Sequence, residues 1–227
     1  MTNDENLGDT FRLFAYGSLL FEPELADDLI ETAPAALEGY RRAFNKLSLR
    51  RATACEESFD AFASLGNAYR REGKNISLAL GTEPAAGDAI VGGLQIYPAH
   101  IVHDLQPKLD QREGFSGKRP SRQNGYLRSH VDLRQGTEAV SAITYLTNSD
   151  EACVWTIGSE VDVFLRAKIL INATPIEASA DLARGLDYLQ MTREELASIG
   201  ARDAALEELT EAVRSFDGPW RARVASL

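Results

Sequence analysis

Leu105, Leu109 and Glu113 recur at intervals of four residues. Positions four apart share one face of a helix. A helix that runs through Glu113 therefore points a carboxylate the same way as two leucines, toward the interior. Desolvation raises the pKa of such a carboxylate toward the range useful for proton transfer. A helix C-terminus also disfavours an anion, while Arg112 and the basic loop after Gly114 favour one. Asp110 and Arg112 fall off the stripe and read as solvated. If the helix frays before Gly114, Glu113 is an ordinary surface charge.

A second feature lies at residues 11–21, Phe-Arg-Leu-Phe-Ala-Tyr-Gly-Ser-Leu-Leu-Phe. Its first half is apolar and aromatic and reads as a strand. Gly17 and Ser18 break the run, and residues 22–30 have helical spacing. Successive N–H groups in a turn that leads into a helix can bind anions and developing oxyanions. Gly17 has no Cβ and permits close approach. An ordinary first strand with its turn is the other reading. No Gly-Lys-Ser/Thr comes after it, so this is not a P-loop.

Other chemistry-bearing residues form weaker patterns. His100, His103 and Asp104 share one helical turn, but no third ligand of suitable kind accompanies them, so no metal is expected. His130 alternates with Arg128 and Asp132 on a strand and reads as an exposed polar face. Ser18 has no Gly-x-Ser-x-Gly elbow and no identifiable histidine partner. Cys55 and Cys153 are far apart and show no metal spacing; both read as reduced thiols.

These residues need a scaffold, and 227 residues with 44% hydrophobic and 26% charged content can bury a core. The formal charge of -10 argues against nucleic acid and anionic membranes as partners. Residues 1–10 are acidic and polar, unlike a signal peptide, and no apolar run approaches the ~20 residues of a membrane span. A cytoplasmic protein is expected. The expected organisation is a polar tail over 1–10, a single domain over 11–216 and a C-terminal tail over 217–227.

Along the chain, residues 36–49 read as one or two strands around Gly39. Residues 50–74 read as a long loop, with a short helix possible over 59–65. Strands come next over 76–80 and 89–97, separated by a turn at 84–87. Residues 99–105 read as helical. Pro107 lacks an N–H donor and should start a second short helix that stops at Gly114. Residues 126–133 and 139–146 read as a hairpin closed by Gln135 and Gly136. Residues 159–172 and 178–189 read as helices, and Thr192 with Glu195 as a capping box that opens a helix or helix pair through Arg214. Strands come mostly first and helices mostly last. That order predicts an α+β domain, a small curved mixed sheet or partial β-barrel flanked by helices.

Two of these stretches carry a resemblance. Phe14-Ala15-Tyr16-Gly17-Ser18-Leu19-Leu20 resembles the signature of the γ-glutamylcyclotransferase superfamily, especially its ChaC-type branch, whose opening strand ends in Tyr-Gly-Ser-Leu. Leu109-Asp110-Gln111-Arg112-Glu113 is similar to that branch's Leu-Asp-x-Arg-Glu motif. Gly39-Tyr40-Arg41-Arg42-Ala43-Phe44 resembles its Gly-Tyr-x-Arg-x-Phe segment, and Gly93 before Tyr97 resembles its Gly-x-Ala-Tyr. Asp187-Tyr188-Leu189 stands where the branch has Glu-Tyr-Leu. Ser48-Leu49-Arg50-Arg51 matches the branch's Ser-x-Asp-His-Arg-Gly only in part.

The resemblance implies release of 5-oxoproline and a free amine from a γ-glutamyl peptide, glutathione or a relative, or from a γ-glutamyl amine. It implies Glu113 as catalytic acid and base. Backbone N–H groups of Gly17, Ser18 and Leu19 would receive the carbonyl oxygen, and Tyr16 and Tyr188 would orient the substrate. Arg51 or Arg119 would meet a substrate carboxylate. No cofactor and no metal are implied. A small-ligand binding module on the same scaffold is the non-catalytic alternative.

Overall fold

The computed structural model describes residues 10–54, 69–158, 161–175, 182–216 and 218. Strand β1 (Thr10–Ala15) leads through a turn to β2 (Glu31–Ala54). The short β3 (Arg70–Arg71) and the long β4 (Lys74–Pro98) come next, then helix α1 (Val102–Glu113). Strands β5 (Tyr126–Gln135) and β6 (Glu138–Thr147) precede α2 (Val163–Asn172), α3 (Gly185–Ser198) and α4 (Ala204–Arg214). The fold is α+β, as the element order predicts.

The sheet closes on itself. Its order is β1-β6-β5-β2-β4-β3, and β1 pairs β4 as well as β6. The β1–β6 pairing is parallel, with Leu13 opposite Ile143, and every other pairing is antiparallel. The barrel-like interior is apolar: Leu13, Phe14, Leu78, Leu80, Ile90 and Leu94 are all within 2% of full burial. Helix α1 adds Leu105 and Leu109 to the same core, and α2 to α4 bring Ile169, Leu189 and Val213.

β2 and β4 form one long ribbon, and three register shifts curl it. This corrects the reading of separate strands around 84–87. Pro84 pairs with Tyr40 and Ala89 with Glu38, so residues 85–88 bulge opposite Gly39. Pro84 has no N–H to give a ladder, and Gly39 and Gly87 take φ of 78° and 89°. Residues that commonly make turns here make an irregularity inside a continuing pair. β2 also runs on through Ala54, which shortens the expected loop from its start; the helix expected over 59–65 and Cys55 lie outside the described residues.

Three helix expectations are corrected. Residues 22–30 hold only a 3-10 turn, Ala26–Asp28, after a left-handed Leu25, because Ile30 N–H is already tied to Ile96 O of the sheet. Pro107 sits inside α1. The bond it forfeits belongs to the carbonyl of exposed His103, where water can serve instead. Thr192 lies buried within α3 and its hydroxyl donates to Tyr188 O at 2.8 Å, so it caps nothing. The caps actually used are Asp162 for α2 and Asp203 for α4. No helix among the described residues is long and apolar enough to cross a membrane.

Candidate functional site

Helix α1 reaches Glu113 because Gly114 closes it there. Gly114 adopts φ 69°, Phe115 N–H bonds to Asp110 O at 2.9 Å and Gly114 N–H to Gln111 O at 3.3 Å. This is a Schellman closure, which glycine takes without a Cβ penalty. The stripe therefore holds its register to the end. Leu105 and Leu109 are fully buried, and the Glu113 side chain is 13% exposed. Among the described residues no donor hydrogen-bonds the carboxylate; the nearest cation, Arg112 Nε, lies 3.7 Å away. Burial pushes the Glu113 pKa up, and Arg112, Lys46, Arg51 and Arg50 hold it back.

The turn after β1 faces the same space. Each carbonyl from Tyr16 to Leu19 is tied to a group outside that space. Arg42 Nε donates to Tyr16 O at 3.0 Å, and Leu20 N–H to Gly17 O at 2.9 Å. Glu22 N–H donates to Ser18 O at 2.8 Å, and Gln95 Nε2 to Leu19 O at 2.6 Å. No cis bond occurs among the described residues, and the C=O and N–H of a trans unit point opposite ways. The N–H groups of Gly17, Ser18 and Leu19, residues that line the cavity, point away from those carbonyl partners, and none has an acceptor among the described residues. The expected helix N-terminus beside the turn is absent, so these N–H groups stand without a helix dipole.

Both features border one cavity of about 240 Å³, together with Tyr16 and Tyr188. Tyr16 donates its hydroxyl proton to Tyr145 O, which leaves its oxygen free only to accept. Tyr188 accepts from Leu80 N–H at 3.4 Å and keeps its own O–H to give. Its ring is fixed by Arg51, whose guanidinium carbon lies 4.2 Å from the ring centroid, and by the edges of Phe21 and Phe44. Burial raises the pKa of Tyr16, Tyr126 and Tyr188, so all three stay neutral. Gly17 is needed for close approach: a Cβ there would stand 3.2 Å from the Tyr188 hydroxyl oxygen.

Asp110 and Arg112 are not solvated, contrary to the stripe reading. Arg112 is 9% exposed in its side chain. It donates to Glu22 O at 2.7 Å, Glu22 Oε2 at 3.1 Å and Ser18 Oγ at 3.2 Å. Asp110 accepts from Tyr145 at 2.7 Å and from Arg128 at 2.6 Å. The end of α1 is wedged between the turn and the β5–β6 hairpin, so its flanks are covered along with its apolar face. Arg51 is similarly committed, to Ala183 O and Glu22. Arg119 stands exposed at the cavity rim with no side-chain partner among the described residues.

The remaining candidates lie elsewhere. His100 and His130 are exposed, and His103 pairs with Asp104 at 3.4 Å on the surface. Among the described residues no group of three or more His, Cys, Asp or Glu could hold a metal. Cys153 is buried and free, its Sγ 3.4 Å from Asn124 O. Sequence reasoning missed Lys46 and Tyr126, which also line the cavity. A register shift between Phe44 and Lys46 displaces the alternation that would have flagged Lys46 as inward-facing.

No protein-family model matches the sequence, and no curated protein matches it. Solved structures do. A selenomethionine-labelled glutathione-specific γ-glutamyl cyclotransferase from yeast superposes with a TM-score of 0.64 at 15% identity, over 91% of this chain and 96% of that one. A second structure of the glutathione-specific yeast enzyme gives 0.61 at 16% identity, over 90% and 98%. The chain has the fold of that yeast cyclotransferase.

Proposed function

We propose that this chain is a γ-glutamylcyclotransferase of the ChaC-like kind, with Glu113 as its acid and base. One observation carries the reading: a desolvated carboxylate that receives no hydrogen bond from the described residues and three unspent backbone N–H groups border a single cavity. The fold shared with the yeast enzyme and the Tyr-Gly-Ser-Leu and Leu-Asp-x-Arg-Glu motifs support it.

Those groups define the chemistry. The substrate's own α-amino nitrogen attacks its γ-carbonyl carbon, so proximity is built into the substrate. Glu113 takes a proton from that nitrogen as the C–N bond forms. Charge developing on the carbonyl oxygen is received by the N–H groups of Gly17, Ser18 and Leu19; loss of one such donor typically costs about 10²-fold or more. The bond to the leaving nitrogen breaks as Glu113 returns the proton to it. The products are 5-oxoproline and a free amine. Tyr16, able only to accept, suits an N–H of the attacking α-amino group, and Tyr188, able to donate, suits a substrate oxygen.

The test is release of 5-oxoproline from a panel of γ-glutamyl compounds, glutathione first. Product from at least one member, lost in Glu113→Gln, supports the reading. Saturable binding across the panel with no product would replace it with the ligand-binding module.

A further inference from the structure

The cavity is opposite in sign to the chain. The protein carries a formal charge of -10, yet every charged residue lining the cavity except Glu113 is a cation: Lys46, Arg50, Arg51, Arg112 and Arg119. Two of these are spent. Arg51 and Arg112 both pair with Glu22, which itself lies outside the lining. Lys46 is different. It makes no hydrogen bond and no ion pair among the described residues; its one close neighbour of note is the Tyr126 ring, 5.2 Å from Nζ to centroid.

The seat of Lys46 is built. A Cβ on Gly125 would stand 2.7 Å from Lys46 Cε and 3.1 Å from Trp155 Cβ, so any larger residue there would push the lysine stem out of its present place. The backbone is pinned on the other side, where Lys46 bridges Thr156 and Leu47 N–H bonds to Trp155 O at 2.8 Å. The Glu113 carboxylate favours this cation through space but does not hydrogen-bond it, and burial lowers the Lys46 pKa despite that carboxylate. A ligand that brings an anion relieves the cost of that burial.

Resting on the cyclotransferase reading, we infer that Lys46 is a specificity-determining residue: its ammonium receives an acidic group on the amine half of the substrate. With the turn and Glu113 engaged at the reacting end of the substrate, the part of the same cavity lined by Lys46, Gly125, Tyr126 and Trp155 is left to receive the substituent of the leaving nitrogen. Compounds whose leaving amine bears a carboxylate are then turned over in preference to neutral or cationic γ-glutamyl amines. Arg50 and Arg119, exposed at the rim, favour entry of the same charge.

The experiment compares γ-glutamylglycine with γ-glutamylglycinamide, which differ in that one charge. For the wild-type protein kcat/KM for 5-oxoproline release is expected to favour the acid by about 10- to 100-fold, the range of a hydrogen bond to a charged group. Lys46→Met is expected to bring the ratio toward one, and Lys46→Arg to keep most of it. A wild-type ratio near one, or an equal fall on both compounds in Lys46→Met, overturns the inference while leaving the cyclotransferase reading intact. If neither compound yields product, calorimetric titration of the wild-type protein with each decides. Binding that is tighter for the acid by a similar factor sustains the role of Lys46 in ligand selection, catalysis being decided by the full panel, whereas equal or undetectable binding overturns the role of Lys46.

Discussion

Arg112 Nη2 lies 3.2 Å from Ser18 Oγ, and this contact joins the last turn of α1 to the turn after β1. The same guanidinium holds Glu22 through its carbonyl and its carboxylate. The proposed base and the proposed anion-facing turn are thus set against each other by the residue adjacent to the base. Arg112→Met keeps the stem and removes these bonds. Misplacement on the scale of an ångström costs on the order of 10²-fold in rate, and that fall is expected in kcat for 5-oxoproline release. Loss of bonds to a charged group is expected to lower unfolding free energy by about 1–3 kcal/mol, read from urea denaturation. A variant with wild-type kcat would show that the contact only braces the fold.

Glu113→Gln separates chemistry from stability. Activity is expected to fall by about 10²- to 10⁴-fold, the usual worth of a general acid–base. Stability should move the other way. Burial raises the folded-state pKa above the ordinary 4.5. A carboxyl with a raised folded pKa stabilises the protein below its unfolded pKa, and that contribution is lost as pH rises through the folded value. The amide does not ionise. Melting temperatures of the two proteins should therefore converge at acid pH, with the variant ahead at pH about 8. A wild-type protein more stable than the variant at that pH would mean the surrounding cations outweigh burial.

Local signals in the sequence were legible, and long-range ones were not. Gly114 stops α1 where its spacing says, and Leu105, Leu109 and Glu113 share the buried face. The hairpin of β5 and β6 closes at Gly136, φ 59°, near the expected turn. These features depend on neighbours within a few residues. The β2–β4 ribbon read as fragments because Gly39, Pro84 and Gly87 mark a bulge as readily as a turn. Arg112 read as solvated because its partners, Ser18 and Glu22, lie some ninety positions away in sequence. Of the cavity lining, Glu113, the turn and Tyr188 were nameable from motifs, whereas Lys46 depends on a bulge and on the missing side chain of Gly125.

Gly17 and Tyr188 both line the cavity with no room for a Cβ at normal distance between them, and a double-mutant cycle can measure their coupling. A Cβ at position 17 would stand 3.2 Å from the Tyr188 hydroxyl oxygen and 3.6 Å from Leu80 Cβ. Gly17→Ala is expected to raise KM for γ-glutamyl substrates, because either the turn or the ring must give. Tyr188→Phe removes the oxygen that crowds it, so the pair should be non-additive, with a coupling of about 0.5–3 kcal/mol in kcat/KM. Strict additivity would place the turn and the ring out of each other's reach in the working protein.

Gln95 is fully buried in β4, and its amide nitrogen donates to Leu19 O at 2.6 Å. Its amide oxygen lies 3.4 Å from the Tyr97 hydroxyl, which gives its one proton to Glu24 O at 2.9 Å. Two strand residues thus hold the chain on both sides of Glu22. Gln95→Met is close in volume but has no donor. It leaves the Leu19 carbonyl unsatisfied in the interior, a cost of about 1–3 kcal/mol in stability. The freed carbonyl shares its peptide unit with Leu20 N–H, so rotation of that unit breaks the bond from Leu20 N–H to Gly17 O and releases the Gly17 carbonyl, whose own unit carries Ser18 N–H. In the proposed reaction that N–H matters most when charge develops on the carbonyl oxygen. The variant is therefore expected to lose kcat by about 10²-fold with KM changed far less. A fall in KM and kcat together, or in stability alone, would assign Gln95 to the core and not to the orientation of the turn.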